Sequence, residues 1–231
     1  GLRGVPSVAE EVMVARDIAL ARLTGGRVHI AHVSTPRAVE LVRQAKAEGV
    51  AVTAEVAPHH FTLTEESVEG YNTNAKMSPP LRLGEDVEAM KDGLRDGTID
   101  AIATDHAPHH RDEKEVEFDQ AAHGITGLET ALALTLNLVR EGVLSMSEAV
   151  GKLTVNPARI LGLPYGPLSV GVPADLTVFD PDAMWRVDPL LSRSRGQNTP
   201  FAGWELKGQT RLTMVEGRFV YDSEKQEVGA A

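Results

Sequence analysis

Residues 7–32, SVAEEVMVARDIALARLTGGRVHIAH, set the architecture. Residues 7–23 carry Val8, Val12, Ala15 and Ala19 on one face at helical spacing, with Ser7 as candidate N-cap and Glu10 three residues on. Thr24-Gly25-Gly26 stops that helix, and residues 27–32 (RVHIAH) are short and β-branched, as a strand requires. The alternation continues downstream. Residues 36–48 read as a helix with Pro36 near its start and Gly49 at its end. Residues 50–56 read as a strand, residues 84–96 as an amphipathic helix ending at Gly97, and residues 99–104 (IDAIAT) as a third strand. Strands separated by helices imply parallel pairing through crossover helices.

The fold class expected is therefore α/β. Each strand is followed by a polar, His-rich or Pro-rich loop, and in a (β/α) barrel such loops line the C-terminal face where active sites sit. A closed barrel takes about eight strands, so the remaining units are expected upstream of Gly1, where the chain opens Gly1-Leu2-Arg3-Gly4 without an initiator Met. Residues 124–162 look helical, with residues 127–141 a long apolar stretch and shorter helices around 147–153 and 157–162. From Gly166 onward Pro, Gly and short alternating strands dominate, at 175–179, 184–187, 211–215 and 219–221. Two domains are expected: 1–165, the barrel part, and 166–231, a small β-rich domain.

Composition narrows the chemistry. The chain has 231 residues, 42% hydrophobic and 24% charged, enough to bury a sizeable core. A net charge of −10 argues against nucleic acid as a partner, and an anionic substrate would need local positive charge. With no cysteine, disulfides, thiolate metal sites and cysteine nucleophiles are excluded, so His and carboxylates would hold any metal. No apolar run is long enough to span a bilayer and no signal peptide is visible, so a cytoplasmic location is expected.

All eight histidines lie between His29 and His123, which confines the candidate chemistry to the α/β part and leaves the tail a structural role. Residues 103–114 (ATDHAPHHRDEK) place Asp105 at a strand end ahead of several imidazoles. Asp105 either caps a helix or binds a divalent cation and moves protons to and from its water. His32 ends its strand on the side opposite His29, as a metal ligand or as a satisfied core residue. Glu55 ends an apolar strand and needs a partner: a metal, a histidine or a salt bridge. Pro58 keeps Ala57 extended and aims His59 and His60, which serve a site or pack a loop. Residues 72–82 (NTNAKMSPPLR) form a stiff loop with Lys76 and Arg82 as positive charges.

Together these segments resemble the dihydroorotases, of the bacterial long-form type within the amidohydrolase superfamily. Ala103-Thr104-Asp105-His106-Ala107-Pro108-His109, with Lys114 after it, matches the family signature. Around it stand His29-Ile30-Ala31-His32-Val33-Ser34, Glu55-Val56-Ala57-Pro58-His59-His60 and Gly124-Ile125-Thr126-Gly127-Leu128-Glu129-Thr130. The tail adds Asn156-Pro157-Ala158, residues 171–176 (GVPADL) and residues 194–201 (SRGQNTPF).

The resemblance implies the C-terminal part of a TIM-type (β/α)8 metal-dependent hydrolase barrel with a small β-sandwich domain. It implies one or two Zn2+ ions and the interconversion of dihydroorotate and N-carbamoyl-L-aspartate in pyrimidine synthesis. It assigns His32 and Asp105 as metal ligands, with Asp105 also the general acid/base, and His109 as the contact to the substrate's carboxylate. The backbone at Ser78 and Gly124 would touch the pyrimidine ring, with Glu55 and His59 supporting the site from behind. Ser78 stands where many relatives have Asn. The family's His-x-His pair, its bridging ligand, a further His and the substrate-gripping Arg and Asn are absent from this sequence, and a fragment inactive alone is expected. Partners implied are the small substrate and a homo-oligomer or an aspartate transcarbamoylase complex. The alternatives are an allantoinase- or dihydropyrimidinase-like cyclic amidohydrolase and a non-catalytic scaffold for aspartate transcarbamoylase.

Overall fold

The computed structural model describes residues 2–164 and 168–225. The expected boundary near 165 and 166 lies outside the described residues. Helix α1 (Ser7–Thr24) leads to β1 (Val28–Ile30), α2 (Pro36–Ala47) to β2 (Val52–Val56), and α3 (Gly84–Arg95) to β3 (Ala101–Ile102). The three strands form one parallel sheet in the order β1-β2-β3, with His29 opposite Thr53 and Glu55 opposite Ala101. Parallel neighbours joined by a helix each are what the alternating pattern requires.

The strand alternation divides the sheet into two faces. Val52, Ala54 and Val56 are buried, while Thr53 and Glu55 between them are partly open. The buried face joins a continuous core with Val39 and Val42 of α2 and Met90 and Leu94 of α3. Burying each such side chain contributes about 1.5–3 kcal/mol. Thr35 caps α2 by accepting from the Ala38 amide at 3.1 Å, just ahead of Pro36.

Helix α1 departs from expectation in which face it buries. Val14, Ile18 and Ala21 pack inward, while Val8, Val12, Ala15 and Ala19 are exposed. The helix is apolar on several sides, so spacing alone does not select the buried one. Ser7 does not cap it: the N-cap is Pro6, without a side-chain hydrogen bond. Glu10, read as the capping partner, instead accepts from the Ser34 amide at 2.8 Å and pairs with buried Arg82 at 3.5 Å. That network ties the start of α1 to the loops after β1 and β2.

After β3 a short helix, α4 (Arg111–Lys114), precedes α5 (Leu128–Arg140), α6 (Met146–Leu153) and α7 (Val155–Leu161). Strands β4 (Leu176–Arg186), β5 (Glu205–Val215) and β6 (Arg218–Asp222) make an antiparallel sheet in that order. The two strands expected at 175–179 and 184–187 are one strand, with a bulge between Asp180 and Met184. Asp180 Oδ1 accepts from the Asp182 and Ala183 amides at 3.0 and 3.1 Å, so a turn-like sequence is absorbed within the strand. Strand β5 starts six residues earlier than the expected 211, through Lys207-Gly208-Gln209. Gly208 faces α5 so closely that a Cβ there would lie 2.5 Å from Leu136 Cδ1. Among the described residues no helix is long and apolar enough to cross a membrane.

Candidate active site

Three strand ends carry the candidate chemistry. His32 lies two residues beyond β1, Glu55 near the end of β2, and Asp105 three residues beyond β3. His32 is thus outside the strand it was expected to end. His32 and Asp105 both adopt left-handed backbone, with φ of 38° and 46°. For non-glycine residues this costs on the order of 1–3 kcal/mol and persists where the surroundings impose it. Hydrogen bonds hold the turns: Val33 N to Glu55 O at 2.9 Å, and Ala103 N to Val56 O at 3.2 Å.

Glu55 finds its partner in His29. The imidazole Nε2 lies 3.0 Å from Glu55 Oε2, and Nδ1 lies 2.7 Å from Thr53 Oγ1. All three side chains project from the open face of the sheet, in agreement with the register. Burial pushes the Asp105 carboxyl upward; the His32 imidazole opposes this and the Glu55 carboxylate adds to it. His32, Glu55 and Asp105 therefore share one electrostatic environment. His32 Nδ1 is buried and has no hydrogen-bond partner among the described residues.

His59 and His60 form a buried pair in a 3-10 turn, Pro58–Phe61, with ring centroids 4.4 Å apart. His60 Nε2–H donates to Pro79 O at 2.9 Å, which fixes its tautomer and occupies a backbone group of the Pro-Pro loop. Burial lowers His60 to about 4, against the Pro79 bond, and holds His59 well below the usual imidazole range with help from His60 and His32. Both rings are neutral at pH 7. His59 Nε2 and His60 Nδ1 have no hydrogen-bond partner among the described residues.

A second group of residues builds the loop beside Asp105. His106 does not join the site: its Nδ1 accepts from the Gly127 and Leu128 amides at 3.1 and 3.4 Å, at the start of α5. His109 Nε2–H donates to His123 O at 2.9 Å, and Nδ1 faces Glu113 Oε2 at 3.2 Å. Gly124 is packed so tightly that a Cβ would sit 2.7 Å from both Ala107 O and His109 Cδ2. Its amide donates to Lys76 O at 2.9 Å, which brings it beside the exposed Ser78.

Sequence reasoning missed Asn198 and the work of Lys114, and read Lys76 only as a positive charge of its loop. Asn198, from the tail, accepts from His109 N at 2.9 Å and donates to Ala107 O and Gly124 O, both at 2.9 Å. The tail therefore supplies part of this site, where only a structural role was expected. Its signal was the 194–201 segment, in which nothing about an Asn distinguishes it from a surface amide. A cavity of about 850 Å³ lies elsewhere: Leu132 of α5 and Trp185 and Tyr221 of the antiparallel sheet line it, and none of His32, Glu55 or Asp105 does.

The sequence matches the amidohydrolase family over residues 3–220, and the chain belongs to that family. Among curated relatives it is 59% identical to a dihydroorotase of Syntrophotalea carbinolica, over 96% of this chain and 52% of the relative. It is 60% identical to a dihydroorotase of Pelotomaculum thermopropionicum, over 95% of this chain and 52% of the relative. The chain thus spans about half the length of these proteins. Among solved structures, an L-hydantoinase (dihydropyrimidinase) from Arthrobacter aurescens superposes with a TM-score of 0.89 at 34% identity, covering 94% of this chain and 49% of that one. A dihydropyrimidinase from Brevibacillus agri gives 0.90 at 25% identity, covering 97% and 50%.

The family is metal-dependent. The donors present suit a borderline divalent cation: an imidazole with an orphaned buried nitrogen after β1 and a carboxyl after β3, the two strands that flank β2. Among the described residues no group of three or more His, Asp or Glu side chains could hold a metal ion. His32 and Asp105 fit as part of a ligand set.

Proposed function

We propose that this protein is a zinc-dependent dihydroorotase, which hydrolyses dihydroorotate to N-carbamoyl-L-aspartate reversibly. The observation that supports it most is the meeting of His32 and Asp105 at parallel strand ends in a chain 59–60% identical to dihydroorotases. On this reading residues 1–165 belong to the C-terminal part of a (β/α)8 barrel and residues 166–231 to a small β-rich domain. The protein works in the cytoplasm, as a homo-oligomer or with aspartate transcarbamoylase.

One or two zinc ions, held by His32 and Asp105 with ligands from outside this chain, would lower the pKa of water and polarise the ring carbonyl. Asp105 accepts the proton of the attacking water and delivers it to the ring nitrogen as the C–N bond opens. In the reverse direction it takes the proton from the ureido nitrogen. Burial raises the Asp105 carboxyl, with the Glu55 carboxylate adding to this and His32 opposing it, which favours its taking up a proton. Glu55 engages His29 and adds negative charge beside Asp105. His109, once released from His123 O, offers Nε2–H to the substrate's carboxylate. The peptide groups at Ser78 and Gly124 lie against the ring. His59 stays neutral beneath His32.

Zinc content and dihydroorotate hydrolysis are measured on the same sample. One sample is the 231-residue chain; the other is that chain joined to the portion of the Syntrophotalea carbinolica relative that it does not match. Zinc and turnover in the joined protein support the reading, and zinc-loaded protein without turnover refutes it. The hydantoinase likeness favours a second reading, a hydrolase of neutral cyclic amides, and dihydrouracil and hydantoin in the same assay decide between them.

A further inference from the structure

Two enclosed lysines stand beside the candidate site and the mechanism above does not use them. Lys114 is 3% exposed and Lys76 9%. Lys114 Nζ donates to Ala122 O at 2.7 Å and Gly124 O at 3.1 Å. Lys76 Nζ donates to Phe118 O at 2.6 Å and Asp119 O at 3.0 Å. Among the described residues neither ammonium forms an ion pair with a carboxylate. Burial and the charge of Lys76 push Lys114 down to about 8, so at neutral pH Lys114 still carries charge. His123, beside them, is lowered by burial and then by Lys76, Lys114 and His109.

Such an arrangement is expensive, because a buried ammonium without a counter-ion loses hydration that carbonyl oxygens replace only in part. Gripping the loop does not require charge: Asn198 binds the same Gly124 carbonyl with a neutral amide at 2.9 Å. What two cations add is positive potential, in a chain whose net charge is −10. They add it at Gly124, against which the His109 ring packs.

We propose that Lys114, seconded by Lys76, is a specificity-determining positioning residue: it fixes the Gly124 turn against His109 and makes that spot positive, so that a cyclic amide bearing a carboxylate is chosen over a neutral one. This deepens the dihydroorotase reading and rests on it. Neither lysine touches the reacting atoms. Their effect falls on binding, which appears in KM, and leaves proton transfer at Asp105 intact.

The test compares wild type, Lys114→Met, Lys114→Arg and Lys76→Met in the full-length, metal-loaded enzyme. For each, kcat and KM are measured for dihydroorotate, together with metal content. Dihydrouracil, the same ring without the carboxylate, is measured as substrate or as competitive inhibitor. Lys114→Met is expected to raise KM for dihydroorotate by about tenfold or more, with kcat within about threefold and dihydrouracil binding within about twofold. Lys114→Arg restores most of the loss. If Lys114→Met does not fold, Lys76→Met, which is less enclosed, gives the same readout. Equal losses for both ligands, or no change for either, overturn the proposal. Wild type that hydrolyses dihydrouracil but not dihydroorotate refutes the functional reading instead. The selectivity claim is then judged by dihydroorotate as inhibitor, and it falls if Lys114→Met binds dihydroorotate as tightly as wild type.

Discussion

Gly124→Ala is the sharpest single perturbation of the site loop. The new methyl would lie 2.7 Å from Ala107 O, 2.7 Å from His109 Cδ2 and 2.8 Å from Ala107 Cβ. Two of these three contacts are with backbone or with a Cβ fixed to it, so no flexible chain end can swing clear. Gly124 is also held through its amide to Lys76 O and through its carbonyl to Lys114 and Asn198. Overpacking of this kind costs about 1–3 kcal/mol. For a protein of 150–250 residues each kcal/mol lowers Tm by about 2–4 °C, so a fall of roughly 2–12 °C is expected by differential scanning calorimetry. His109 is displaced with the loop, and KM for dihydroorotate rises more than kcat falls. Gly84→Ala is the control, because a Cβ there meets nothing within 4 Å. It leaves Tm level or slightly raised. A Gly124→Ala protein with the Tm and KM of wild type would refute the packing argument.

Asp105→Asn removes the proton carrier and keeps the shape; turnover drops by about 10²–10⁴-fold in metal-loaded protein, and near wild-type turnover would sink the assignment. Asn198→Ala breaks three hydrogen bonds that join residues 107, 109 and 124 to the tail. It costs about 2–4 kcal/mol, read as a shifted denaturant midpoint. His60 tests the pH dependence of folding. Its folded value is lowered from 6.5 to about 4, so the folded state binds fewer protons than the unfolded one between those values. Its contribution is fully present above about 6.5 and is lost as pH falls toward 4. His60→Gln, which keeps a donor for Pro79 O, should flatten that part of the Tm–pH curve; an unchanged slope would place the proton uptake elsewhere.

The parallel sheet was legible because three β-branched runs alternate with helices that end at Gly25, Gly49 and Gly97. Local signals of that kind survive folding. The buried side of α1 was not legible, since Val8, Val12, Val14 and Ile18 offer more than one apolar face and only packing against α2 and β1 chooses among them. Strand β4 read as two because Asp180-Pro181-Asp182 has the chemistry of a turn, and the fold uses it as a bulge. At the site, residue type and position singled out Asp105 and His32 as candidates, and the resemblance supplied the roles proposed for them. Asn198 was not singled out and Lys76 was read only as a loop cation, because what makes them matter is contact across long sequence separations: 89 residues between Asn198 and His109, and 42 between Lys76 and Phe118.

The lysine grip on the 118–124 loop has a consequence for how this region can change. Both amines hold main-chain oxygens, and every amino acid supplies one. The identity of Asp119 or Ala122 is therefore uncoupled from these anchoring bonds, whereas the Phe118 ring also lies 5.4 Å from Lys76 Nζ. A stretch so held is a cassette: side chains can be exchanged to reshape what the site accepts while the frame stays in place. Diversity in a library built here would be tolerated at 119 and 122 and punished at 76, 114, 118 and 124.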